Sequence, residues 1–160
     1  GGDGQVTFGD MALKQKAVKV RKFDSEKGTV LSGFAGAAAD ALTLFERFEG
    51  KLDEFNGDLK RSVVELAKEW RTDKYLRHLD ALLALMDRQS SFIVSGDGNV
   101  IEPDGPIISI GSGAGYAQAA AKALMQTTKM DAKKVVEKSL ISASEICIYT
   151  NDSITVMETE

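Results

Sequence analysis

Leu31-Ser-Gly-Phe-Ala-Gly-Ala-Ala-Ala-Asp-Ala-Leu-Thr-Leu-Phe-Glu-Arg-Phe-Glu-Gly50 decides how the chain is read. A short apolar strand, Thr29 to Ser32, leads into it. The chain then passes through a run of Gly and Ala and leaves as a helix. Leu44, Phe48 and Leu52 recur every four residues, with Ala41 and Phe45 beside them. That is the stripe of an amphipathic helix, and Glu46, Arg47 and Glu49 take most of the other side. Gly33, Ala35, Gly36 and Ala37 leave almost no side-chain bulk at the junction, so something can approach the backbone closely. A helix start also offers free N–H groups and a partial positive charge. The junction therefore suits an oxyanion or an anionic group. It equally suits close packing of a helix on a sheet, which needs small residues too.

Upstream, Gln5 to Phe8 reads as a strand closed by Gly9-Asp10. Met11 to Phe23 is basic, and its end reads as a strand because Val18 and Val20 alternate with charges. Asp24 to Gly28 is a turn that makes a hairpin with the Thr29 strand. Downstream, the first helix should end near Asn56-Gly57. Asp58 is expected to cap a second helix, with Leu59, Val63, Leu66, Ala67 and Trp70 on one stripe. Ala81 to Met86, Ser91 to Ser95 and Asn99 to Ile101 read as a meander of strands. Ile107 to Ile110 reads as another strand, running through Gly111-Ser-Gly-Ala-Gly115 into a third helix. Its stripe is Tyr116, Ala119, Ala120, Ala123 and Leu124. Asp131 is expected to cap a fourth helix, with Ala132, Val135, Val136, Leu140 and Ala143 on one face. Ile146 to Tyr149 and Ile154 to Met157 are expected to close the chain as strands.

Helices thus come in adjacent pairs, which argues against a doubly wound parallel sheet. Two helices in a row can cover one face of an antiparallel sheet. Two such units packed sheet to sheet give an α+β fold, a four-layer αββα sandwich, as one domain over residues 1–160.

Composition narrows the function. The 160 residues, 43% apolar and 28% charged, suit one globular domain with a real core. A formal charge of −4 gives no basic face for nucleic acid. No apolar run is long enough to cross a membrane, and no signal peptide is visible. A single cysteine, Cys147, excludes an internal disulfide and fits a reducing, cytoplasmic compartment. A single histidine, with that cysteine, excludes most zinc sites. Gly1 follows no initiator Met, so the sequence is expected to start part-way into a protein.

Among candidate residues, Gly111 to Gly115 sits where phosphate-binding loops sit, but the full dinucleotide fingerprint and the P-loop Lys are missing. A small-residue turn over a packed helix explains it as well, and Ser112 remains an exposed hydroxyl. His78, in a charged stretch, reads as a surface residue, and Cys147 as packed. Lys19 stands between Val18 and Val20, so its stem is expected to point opposite to theirs.

Several motifs in order carry a resemblance over nearly the whole chain. They are Gly2-Asp-Gly-Gln-Val-Thr-Phe-Gly9, Lys19-Val-Arg-Lys22, Gly33-Phe-Ala-Gly36 with Ala39-Asp-Ala-Leu-Thr-Leu-Phe45, and Val64-Glu-Leu-Ala-Lys-Glu-Trp-Arg71. Ile110-Gly-Ser-Gly113 and Ile146-Cys-Ile-Tyr-Thr-Asn151 complete the set. Together they resemble the HslV (ClpQ) family of bacterial proteasome-like peptidase subunits, whose fold is the αββα N-terminal-nucleophile hydrolase sandwich. The resemblance implies a threonine peptidase whose nucleophile is an N-terminal threonine, with its own α-amine as general base. That threonine lies about a strand upstream of Gly2 in the family and is absent from this sequence, as is the strand that carries it. The resemblance also implies that Asp3 lies near the nucleophile, that Lys19 lowers its proton affinity, and that Ser112 hydrogen-bonds near the amine. Gly36 would present the N–H that faces the oxyanion. Backbone carbonyls at Ser144, Cys147 and Thr150 would hold a monovalent cation such as sodium, and no other cofactor is expected. Position 144 is glycine in the family pattern, and Ala114 replaces a common glycine beside Ser112. The implied assembly is two stacked hexameric rings, fed with unfolded protein substrates by a hexameric ATPase, HslU. A non-catalytic ring subunit or processed fragment of the same fold is the alternative.

Overall fold

Among the described residues, seven strands and four helices form, the helices in two adjacent pairs as the sequence predicts. The computed structural model describes residues 1–159, apart from the side chains of Ala38 and Ala39. The elements are β1 (Val6–Phe8), β2 (Met11–Lys14), β3 (Val20–Ser25), β4 (Gly28–Gly36), α1 (Ala38–Glu54), α2 (Leu59–Thr72), β5 (Ala81–Met86), β6 (Ser91–Ser95), β7 (Val100–Ile101), α3 (Ala114–Thr127) and α4 (Ala132–Ser144). A short 3-10 turn, Leu76–His78, joins α2 to β5 and carries His78 on the surface. Strands β3 to β7 make one antiparallel sheet in sequence order, while β1 and β2 pair only with each other.

The main sheet is two-sided. Along β4, Val30, Ser32 and Phe34 are buried and alternate with Leu31, Gly33 and Ala35. Along β5, Ala81, Leu83 and Leu85 alternate in the same way with Leu82, Ala84 and Met86. The first set packs under α1 and α2, where Leu44, Phe48, Leu52, Val63, Leu66 and Trp70 complete the core. Full burial of each such side chain contributes about 1.5–3 kcal/mol. Phe23 and Phe48 meet edge to face, with ring centroids 5.3 Å apart. Of the second set, Leu31, Gly33, Ala35, Ala84 and Met86 face a cavity of about 950 Å³, whose lining also includes Ala117 and Ala121 of α3 and Val136, Ser139 and Leu140 of α4.

The caps are as expected. The Asp58 carboxylate accepts the Arg61 N–H at 3.0 Å, and the Asp131 carboxylate accepts the Lys134 N–H at 2.8 Å. The first helix ends at Glu54, after which Asn56 and Gly57 take positive φ of 51° and 75°.

Four expectations change. Residues 107–110 belong to no ladder, and residues 146–149 lie in the turns after α4. Residues 154–157 contribute only an isolated bridge, Gly2 to Thr155. A strand needs a partner for its N–H and C=O groups, and Gly2 alone supplies one here. Finally, α3 buries Ala117 and Ala121 and leaves Tyr116, Ala119 and Ala123 exposed. In so alanine-rich a helix the stripe has little contrast, and the assignment slipped by one position.

Candidate active site

The cavity between the sheet and α3–α4 gathers most of the singled-out residues: Asp3, Lys19, Gly36, Ser112 and Thr150 all line it. Its chemical centre is one ion pair. Lys19 Nζ donates to Asp3 Oδ1 at 2.8 Å, with Asp3 buried and the lysine side chain about one quarter exposed (26%). Asp3 Oδ2 accepts the Gln5 N–H at 2.9 Å and the Asn151 N–H at 3.4 Å. A carboxylate buried this far needs such partners, and it has them on both oxygens.

Backbone pairing puts Asp3 there. Gly2 exchanges both backbone hydrogen bonds with Thr155 at 2.9 Å, which pins the segment to the far end of the chain. Gly4 N–H donates to Asn151 Oδ1 at 3.0 Å, and Gly4 O accepts the Ala17 N–H at 2.8 Å. A side chain at position 4 would stand 2.3 Å from Gln15 O, so the two strands of chain can approach only at glycine. Asn151 Nδ2 in turn donates to Gln15 O at 2.9 Å and to Gln15 Oε1 at 2.7 Å. Residues 3 to 19 therefore leave and return to one point, with Asp3 and Lys19 at its two ends.

Lys19 precedes β3 directly, and its carbonyl accepts the Phe34 N–H at 2.9 Å. The alternation with two valines is half right. Val20 is buried but Val18 is exposed, because the strand begins only at Val20.

Gly36 ends β4 on the cavity wall at φ +141°. A Cβ there would stand 2.6 Å from Asp80 O and 2.9 Å from Ala81 Cα, so packing alone demands glycine. The packing reading of the Gly-Ala junction thus holds at Gly36, which also borders the open space. Ser112 lies exposed just before α3, in a loop whose Gly111 takes φ +94° and would bring a Cβ within 3.2 Å of Ala35 Cβ. No hydrogen bond joins Ser112 to Asp3 or Lys19 among the described residues.

Ser144 and Cys147 do not line the cavity, and Cys147 is buried in a turn, not in a strand. Of the carbonyls expected to hold a cation, Cys147 O accepts the Thr150 N–H at 3.1 Å and the Thr150 hydroxyl at 2.9 Å. Among the described residues no group of three His, Cys, Asp or Glu side chains could hold a metal ion.

An ammonium held by a buried carboxylate at the rim of a cavity is a preorganised positive charge. It favours a developing oxyanion or alkoxide beside it, because it does not have to reorient when the charge appears. Sequence reasoning missed Gln5, Gln15 and Asn151, which position the pair. The signal available was weak: Asn151 beside Asp152 reads as an ordinary turn.

Comparison with known proteins gives the family and the fold. The proteasome-subunit family pattern matches residues 1–159. The chain is 55% identical over 158 residues to the ATP-dependent protease subunit HslV of Aquifex aeolicus (strain VF5), covering 99% of this chain and 89% of the relative. The chain belongs to the HslV branch of the proteasome family. The HslV of Pseudothermotoga lettingae is likewise 55% identical over 157 residues, covering 98% of this chain and 88% of the relative. The crystal structure of eukaryotic HslV from Trypanosoma brucei superposes with a TM-score of 0.86 at 43% identity, over 94% of this chain and 86% of that one. Thiobacillus denitrificans BPH in complex with epoxomicin shares the fold, with a TM-score of 0.69 at 19% identity over 94% of this chain and 85% of that one. The HslV fold is thus the α+β sandwich expected from the pairing of helices.

Proposed function

We propose that this HslV-family chain is the peptidase subunit of an ATP-dependent protease and cleaves unfolded proteins with an N-terminal threonine as nucleophile. That threonine is not among the residues in hand. Its hydroxyl attacks the peptide carbonyl, its α-amine takes the proton and passes it to the leaving amine, and water then hydrolyses the acyl ester. The observation that carries the reading is the Lys19–Asp3 pair at 2.8 Å on the cavity wall, which offers a fixed cation where an alkoxide would form. Gly36 N–H supports the oxyanion and Ser112 the amine. The chain assembles with its copies as two stacked hexameric rings, and a hexameric HslU-type ATPase feeds it. A cytoplasmic setting suits the lone thiol of Cys147.

Lys19→Ala tests it. In a dry site a fixed charge is worth several kcal/mol, so turnover of a small fluorogenic peptide, with the partner ATPase present, should fall on the order of a thousandfold. The melting temperature should change little, since the lysine side chain is one quarter exposed at the cavity and outside the buried cluster. Near-normal turnover would remove Lys19 from the site. Intact mass with N-terminal sequencing of the active enzyme separates a catalytic from a non-catalytic subunit, by whether threonine leads the mature chain.

A further inference from the structure

Asp3 stands between Gly2 and Gly4, and glycine backbones have the widest conformational freedom. Nothing local therefore fixes the direction of its carboxylate, and hydrogen bonds to other segments must. Gly2 is held by Thr155, through a pair of backbone bonds at 2.9 Å. On the other side the holder is Asn151, 148 positions from Asp3 in sequence. Its Oδ1 accepts the Gly4 N–H at 3.0 Å and the Ser153 N–H at 3.2 Å. Its Nδ2 donates to Gln15 O at 2.9 Å and to Gln15 Oε1 at 2.7 Å. Its backbone N–H reaches Asp3 Oδ2 at 3.4 Å. Both lone pairs and both hydrogens of the side-chain amide are thus used.

We propose that Asn151 is a positioning residue for peptide hydrolysis, one that sets the rate through Asp3 and Lys19 without meeting the substrate. The inference rests on the threonine-peptidase reading above and adds a residue that this reading leaves out. The partners dictate the side chain. The Gly4 and Ser153 N–H groups can only donate, and Gln15 O can only accept. The group between them needs an acceptor at one end and a donor at the other, which an amide supplies. A carboxylate of the same shape would keep the Gly4 bond and turn an oxygen toward Gln15 O. It would also set a second negative charge near Asp3, in competition for the Lys19 ammonium.

The effect on the site follows from the order of contacts. Lys19 Nζ meets Asp3 Oδ1 at 2.8 Å, so the cation stands where Asp3 holds it. Asn151 ties Gly4 to Gln15. Without it Asp3 turns about its two glycines, and the ammonium leaves the place where the alkoxide forms. The turn that carries Asn151 is itself anchored, since Thr150 Oγ1 donates to Cys147 O at 2.9 Å and the Thr150 N–H to the same oxygen at 3.1 Å. The same turn backs the Ser112 side of the cavity. A Cβ at Gly113 would stand 3.1 Å from Thr150 Cγ2, so the loop of Ser112 packs on it. One turn thereby supports both Asp3 and the Ser112 loop.

The test is Asn151→Asp and Asn151→Ala in the full-length enzyme, each read as kcat and KM for a small fluorogenic peptide with the ATPase present, beside light scattering and a melting curve. A catalytic group displaced by about 1 Å costs roughly 100-fold, so kcat should fall by that much with KM held within about twofold. A double-variant cycle shows the route. Asn151→Ala in an Asp3→Asn background should lower kcat by less than about threefold further, since its effect runs through the Asp3 carboxylate. A double loss equal to the product of the two single losses overturns the proposal. So does a lowered melting temperature with kcat of the folded enzyme near wild type, which is what a merely structural Asn151 gives. Loss of the assembled mass together with kcat places Asn151 in assembly instead and overturns it too. Asn151→Ala carries the test if the added carboxylate prevents folding. If neither variant folds, Gln15→Ala, which removes only the 2.7 Å bond, should lower kcat by about fivefold, and no loss there overturns the proposal. Lys19→Ala in the same assay separates the two readings. Normal turnover in it removes both, whereas its collapse beside normal Asn151 variants removes this one alone.

Discussion

A methyl group at position 36 would stand 2.6 Å from the Asp80 carbonyl oxygen, on a backbone at φ +141°. Gly36→Ala should therefore cost roughly 1–3 kcal/mol of stability from strain and crowding. At about 2–4 °C per kcal/mol for a chain of this size, its melting curve should shift visibly. Turnover should fall as well, so activity alone says nothing about its N–H. An unchanged melting temperature with lost turnover would instead make Gly36 purely catalytic. Single residues were legible in the sequence only as types. Lys19 was singled out by two flanking valines, yet what holds it is Asp3, sixteen positions away and invisible to any local pattern. Asp3 stands in Gly1-Gly-Asp-Gly4, which offers no local pattern for burial, and its burial follows from the bridge of its neighbour Gly2 to Thr155.

At the scale of elements, legibility followed locality. Asp58 and Asp131 announced their helices because a cap is a contact three residues long. Ile107 to Ile110 and Ile146 to Tyr149 looked like strands because apolar runs do, but a strand is defined by its neighbour. The β1–β2 hairpin was half seen: the Gly9-Asp10 turn was read, and its second strand was not, because Met11–Lys14 faces solvent on both sides. The caps give a pH prediction. The Arg61 N–H, with Lys27 nearby, holds the Asp58 carboxyl below its ordinary value. Folding then gains stability from Asp58 above the ordinary carboxylate range and loses it as pH falls through the lowered folded value. Asp58→Ala should cost about 1 kcal/mol at neutral pH, and the difference from wild type should shrink as pH falls below the ordinary carboxylate range. Equal melting temperatures at pH 7 would mean that the cap contributes nothing.

At the scale of the molecule, the two helix pairs are not equally anchored. The buried cluster draws on β3 to β6, α1, α2 and Leu76, and on nothing from α3 or α4. The second pair buries mainly small residues, Ala117, Ala121 and Ala143, with Val135, and it faces a cavity of about 950 Å³. Contact with few buried carbons makes a region open first. Trp70, the one tryptophan, is fully buried in the first half, so its fluorescence reports that half alone. Far-ultraviolet circular dichroism sees all four helices. On denaturant titration at a concentration where the protein is unassembled, the dichroism should begin to fall before the fluorescence moves, by roughly the share of helix in α3 and α4. The site spans the boundary, since Asp3, Lys19 and Gly36 stand on one wall of the cavity and Ser112 on the other side of it. Peptide turnover of the assembled enzyme, followed together with its own dichroism and fluorescence in denaturant, should therefore track the dichroism and disappear while Trp70 is still buried. Coincident transitions in both probes would show one cooperative unit, and the packing of α3 and α4 across the cavity would then be stronger than its small side chains account for.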